Sequence, residues 1–141
     1  MDDALNDIAD RLRQGVLRLG RRLRFSSNGS IPPAQVSILA FLDKHESLTL
    51  GEIAAFEQVR PPSITPLVRA LETGELVECT KDESDRRSTR VRLTPRGRQE
   101  LSAVRQRRTE FLERKLLALS PAERTQAADL VTFLEKLLND S

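Results

Sequence analysis

Apolar residues along this chain recur mostly at helical spacing, and over one short region they switch to alternation. The first helical stretch runs from Asp2 to about Phe25, with Leu5, Ile8, Leu12, Val16, Leu19 and Leu23 on one face. Ser26-Ser27-Asn28-Gly29-Ser30 reads as a loop by composition, and Pro32-Pro33 opens a second helix, Ala34 to about Lys44. Its apolar set is Val36, Leu39, Ala40 and Phe41. A third, short helix covers Leu50 to Phe56, where Thr49 caps the start and Glu52 completes a capping box. Gln58-Val59-Arg60 is too short to be anything but a turn. Pro61-Pro62 then opens a fourth helix, Ser63 to Thr73, which Gly74 is expected to close. Ile64, Leu67, Val68 and Leu71 form its apolar stripe and leave Ser63, Thr65, Arg69 and Glu72 on the other side.

After Gly74 the period changes. Leu76–Lys81 and Thr89–Leu93 are rich in β-formers, and the second alternates cleanly. Between them lies Asp82-Glu83-Ser84-Asp85-Arg86-Arg87-Ser88, a polar tip with no apolar residue. The sequence therefore predicts a two-stranded hairpin. Thr94 and Pro95 start a long helix to about Leu117, carrying Leu101, Val104, Phe111, Leu112 and Leu116 among many arginines. Ser120-Pro121-Ala122-Glu123 is a second capping box, and the last helix runs to about Leu138. Its Leu130, Val131, Phe133, Leu134, Leu137 and Leu138 give more apolar surface than a terminal helix of a small monomer should expose.

Two helices in a tight turn followed by a hairpin make a winged helix-turn-helix. The expected class is mostly α with a small β-hairpin wing, flanked by terminal helices. Ser63 to Glu72, Gly74-Glu75-Leu76-Val77, Asp85-Arg86-Arg87 and Val91 to Gly97 resemble the MarR family of bacterial transcription regulators, in order and at the expected separations. Essentially the whole chain is covered. The resemblance implies a single domain over residues 1–141, with a DNA-binding unit over 31–97 and dimerisation helices over 1–25 and 98–141. It implies a homodimer in which the terminal helices of two subunits intertwine; packing of those helices within one chain remains the alternative. The expected activity is repression at a near-palindromic double-stranded operator, relieved by a small aromatic or lipophilic effector held between the dimer base and the winged unit. No effector-contacting residue stands out.

The candidate DNA contacts follow from chemistry and place. Arg60 lies in the turn before the fourth helix, Pro62 opens that helix, and Ser63, Thr65 and Arg69 lie on its polar, lightly basic face, which suits base edges and phosphates in a major groove. Asp85, Arg86, Arg87 and Arg90 belong to the wing, which can reach the neighbouring minor groove. The family pattern is an aspartate followed two residues later by an arginine that enters that groove, and Asp85 and Arg87 match it. Pro66 lies inside the reading helix. A start near Pro62 with an irregular first turn is expected, whereas a cap at Ser63 would place Pro66 in the first turn at little cost.

Composition changes this picture only by exclusion. The net charge of +2 argues little for nucleic acid, so the location of the positive charge counts. Arg21, Arg22 and Arg24 match the dipole at the end of the first helix, which is the preferred reading over DNA contact. Trp and Tyr are absent, which removes the usual platforms for single-stranded bases and favours duplex DNA. No long apolar run and no signal-like start occur, so a cytoplasmic protein with no membrane partner is expected. One histidine and one cysteine cannot assemble a zinc site of the usual ligand count, and no phosphate loop or nucleophile motif is present. Neither an enzyme nor a cofactor is expected. His45 reads as an exposed or capping residue. Cys79 reads as a half-buried packing residue on the face of Val77; a redox-sensing regulator acting through its thiol is the sharper alternative. A winged-helix module that binds protein is the other, against which the wing's lack of aromatics argues.

Overall fold

A computed structural model describes residues 2–27, 29 and 31–139. Asn28 and Ser30 of the expected loop, and Met1, Asp140 and Ser141 at the ends, lie outside the described residues. The elements are α1 (Asp3–Phe25), α2 (Pro33–Leu42), β1 (Leu48–Thr49), α3 (Leu50–Phe56), α4 (Pro61–Thr73), β2 (Val77–Lys81), β3 (Thr89–Leu93), α5 (Pro95–Leu117) and α6 (Pro121–Asn139). The core lies under the helix-turn-helix: Ile38, Leu39 and Leu42 of α2 meet Ile53, Ile64, Val68, Leu71 and Val91, and Leu101 and Val104 of α5 close it. Phe41 packs at its edge, stacked on Phe56 at 3.8 Å between ring centroids. His45 is exposed and meets Phe41 edge-on at 4.9 Å.

The expected hairpin is a three-stranded sheet, ordered β1-β3-β2. Leu48 and Thr49 pair antiparallel with Val91 and Arg90, which ties the start of α3 to the wing. Two residues are too few for any period to show, so the sequence could not announce this strand. Asp2 caps α1 by accepting from the Ala4 amide at 3.1 Å. The capping box at α3 is complete in both directions, as is the Ser120–Glu123 box at α6.

The helix ends differ from expectation in an instructive way. Gly74 keeps an ordinary negative φ of −79°, and Glu75 takes the left-handed conformation at φ 61°. The Glu75 amide donates to the Glu72 carbonyl and the Leu76 amide to the Leu71 carbonyl, both at 2.9 Å. That is a Schellman ending one residue later than the glycine suggests, and buried Leu71 and Leu76 accompany it. The helix-turn-helix turn is built the same way. Gln58 sits at φ 58°, its amide donates to Ala55 at 3.1 Å, and the Val59 amide donates to Ala54 at 3.0 Å. α2 stops at Leu42, short of Lys44, where Lys44 and His45 donate three residues back.

Gly97 marks where α5 leaves the sheet. A methyl there would strike the Leu76 backbone carbonyl and come within 2.8 Å of a Leu93 methyl. Gly97→Ala should therefore push α5 off the base of the wing and cost about 1–3 kcal/mol of stability, read as a lowered thermal midpoint. An unchanged midpoint would mean that the helix start shifts freely.

Candidate nucleic-acid interface

α4 begins at Pro61 with Arg60 as its N-cap residue, and no side chain caps it. Two of its first amides are missing because Pro61 and Pro62 carry none, so little is left to satisfy. The Ser63 amide bonds three residues back to Arg60 O at 2.9 Å, which tightens the first turn. Pro66 is interior, and Thr65 Oγ1 donates to the Pro61 carbonyl at 3.2 Å beside it. The start is thus irregular, as expected, and Ser63 is not the cap. Ile64, Val68 and Leu71 are buried, and Arg60, Pro62, Ser63 and Arg69 are exposed. Thr65 is half-buried with its hydroxyl proton spent on Pro61, so only its methyl and lone pairs face outward. Glu72, placed on the outward side by spacing, is exposed, and its carboxylate acts on the Cys79 thiol of β2.

The wing tip is built from two side-chain turns. Asp82 accepts from the Ser84 amide at 3.1 Å and the Ser84 hydroxyl at 3.0 Å. These bonds, with the Arg90 cation nearby, hold the Asp82 carboxyl below the usual range. Asp85 Oδ1 accepts from the Arg87 amide and from Arg87 Nε, each at 3.1 Å. One aspartate oxygen therefore fixes both the backbone and the guanidinium two residues on. Arg87's side chain is 92% exposed despite this tether, and Asp85's is 45% exposed. Arg86 is exposed beside it. Arg90 is different: it sits at the wing base, 3.9 Å from both Glu52 and Asp82. Sequence reasoning grouped it with the tip arginines because nothing in the spacing signals a partner 38 residues away.

Other cations are committed to holding the fold. Asp43 bridges Arg105 at 3.0 Å and Arg98 at 3.7 Å, which locks α5 to the end of α2. Arg96 pairs with Glu75 at 3.3 Å. Arg60, Arg69, Arg86 and the tethered Arg87 are exposed on α4, its cap and the wing tip, as is Lys81 at the end of β2. Burial, and then the Glu72 carboxylate, push the Cys79 thiol up to about 11, the opposite of what a reactive thiol needs. Among the described residues no group of three or more His, Cys, Asp or Glu could hold a metal, and no helix is long and apolar enough to cross a membrane.

The arrangement of α3, α4 and wing is matched in known proteins. The MarR family model matches residues 31–89. An HTH-type transcriptional regulator of Mycobacterium bovis is 34% identical over 131 residues, 90% of this chain and 92% of that protein. The chain belongs to the MarR family. The HTH-type transcriptional repressor MdtR of Bacillus subtilis is 35% identical over 104 residues, 74% of this chain and 67% of that one. A putative transcriptional regulator of Pseudomonas aeruginosa superposes with a TM-score of 0.84 at 31% identity, over 100% of both chains. This MarR-family chain is accordingly a DNA-binding winged helix-turn-helix transcription regulator, and not an enzyme.

Proposed function

We propose that this MarR-family regulator is a homodimeric repressor that grips duplex DNA through α4 in the major groove and Arg87 in the adjacent minor groove. The observation that carries the reading is the wing tip, where a solvent-facing guanidinium is aimed by Asp85 at 3.1 Å. A carboxylate beside DNA is repelled by phosphate, so its position makes sense as an orienting partner. Charge-assisted pairing narrows the directions that Arg87 samples and reduces the entropy lost on docking. Arg60, Pro62, Ser63, Thr65, Arg69 and Arg86 complete the surface. A repressor's role, on cytoplasmic DNA, is favoured by the similarity to MdtR.

Dimerisation is supported by surface that one chain leaves open. Leu5, Ile8, Val16, Leu17 and Leu19 of α1 and Leu130, Val131, Phe133, Leu137 and Leu138 of α6 are all exposed. No residue of either helix is buried. Two such helices per chain need a second chain to cover them. Release by an amphiphilic acid is supported by an open cleft of about 590 Å³ between α1 and α5. Val16, Leu17 and Leu112 line its apolar part, and Arg21, Arg24 and Arg108 its basic part. Burial, and then the cation of Arg24, lower the proton affinity of Arg108, which an incoming anion would relieve.

Equilibrium titration of operator DNA with two wing variants tests the proposal. Arg87→Ala should cost about 1–3 kcal/mol per subunit. Asp85→Ala should weaken binding as well, although it removes a negative charge and Coulomb's law alone predicts tighter binding. Tighter binding by Asp85→Ala at moderate salt would refute the orienting role.

A further inference from the structure

The wing must be held at a fixed angle to α4 if Arg87 is to meet the minor groove while α4 lies in the major one. Arg90 occupies the place where that angle can be set. It lies on the central strand β3, paired with Thr49 of β1 on one side and Thr80 of β2 on the other. Its neighbour Val91 is fully buried on the inner face, so Arg90 stands on the outer one. There its NH1 is 3.9 Å from Glu52 Oε1 and its Nε is 3.9 Å from Asp82 Oδ1.

Both oxygens already have structural work. Glu52 Oε1 accepts the Thr49 amide at 3.1 Å and so caps α3, the first helix of the helix-turn-helix. Asp82 Oδ1 accepts the Ser84 amide and hydroxyl, which forms the first turn of the wing tip. The guanidinium thus stands between the oxygen that starts α3 and the oxygen that shapes the wing. At 3.9 Å neither contact is a hydrogen bond, so the attraction that draws the two carboxylates to the guanidinium is Coulombic. NH1 is buried with no hydrogen-bond partner among the described residues. The Arg90 side chain is 36% exposed, against 92% for Arg87. Reaching a phosphate would mean leaving two carboxylates, an exchange that Arg87 at the tip does not face.

We infer that Arg90 is a positioning residue and not a DNA contact, a charged strut between Glu52 and Asp82 that sets the wing's angle and so places Arg87. This inference rests on the proposed minor-groove role of the wing.

A four-protein cycle tests it: the unaltered chain, Arg90→Met, Arg87→Ala and the double variant, each titrated with the same selected operator. Arg90→Met should weaken binding roughly tenfold on its own and less than twofold when Arg87 is already absent, because the group it positions is gone. Equal losses in both backgrounds, or no loss at all, would overturn the inference. Amide hydrogen exchange of the free protein provides a second readout. In Arg90→Met, exchange at the Thr49 amide, held by Glu52, and at the Ser84 amide, held by Asp82, should rise together, and in Arg87→Ala it should not. Coupled exchange in a protein that binds no duplex would refute the DNA reading while leaving the strut in place. Unchanged exchange would refute the strut itself.

Discussion

Replacing Leu130 and Phe133 together by aspartate should yield a folded monomer with operator affinity lowered by about a thousandfold or more. Both residues lie on α6, both are about half exposed in the single chain, and neither belongs to the winged core. Charges on that face would have to be buried without partners for two subunits to associate, which costs far more than the apolar contact gains. The winged unit keeps its own core and should melt cooperatively. One subunit alone reaches one half-site, so binding falls towards the non-specific level, which lies about 10³-fold or more below specific affinity. Sedimentation reads the assembly and titration reads the DNA. A variant that remains dimeric would show that α6 is covered in some other way.

The second large effect is that of salt. Arg60, Arg69, Arg86 and Arg87 all lie at the proposed DNA face, which gives about eight cations per dimer and a slope of log affinity against log salt near −7. Raising salt from about 50 to about 200 mM should then weaken binding roughly 10⁴-fold. Arg90, Arg96, Arg98 and Arg105 pair with acids of other elements and should not add to that slope, whereas Arg87 keeps its solvent-facing charge beside Asp85 within the wing tip and should. A slope near zero would contradict DNA binding through this face, and one far steeper than −7 would mean that the paired arginines are recruited.

Much of this was legible in the chain because the relevant signals are local. The capping boxes at Thr49 and Ser120, the double prolines at the starts of α2 and α4, and the stripe of Ile64, Val68 and Leu71 each lie within a turn or two. The Asp85–Arg87 pair was singled out by its match to the family pattern, and its members, two residues apart, meet at 3.1 Å. What the sequence concealed is of two kinds. Glycine preference placed the end of α4 at Gly74, whereas Glu75 takes the left-handed position and holds Arg96 and Thr94 from there. Long-range electrostatics were the other kind. Glu52–Arg90–Asp82 and Arg98–Asp43–Arg105 join elements far apart in sequence, and no periodicity encodes such pairing. Strand β1 belongs with them, being two residues that become a strand only because β3 lies alongside.

The most direct measurement is selection of bound sequences from random duplex DNA by the full chain. Two copies of α4 on one face of the duplex require half-site centres about 34 Å apart, one helical turn. The recovered sequences should align as a near-palindrome with that spacing, and with A·T-rich pairs where Arg87 enters the minor groove. A single unrepeated half-site, or no enrichment over random sequence, would contradict a dimeric repressor that reads DNA with α4 and its wing.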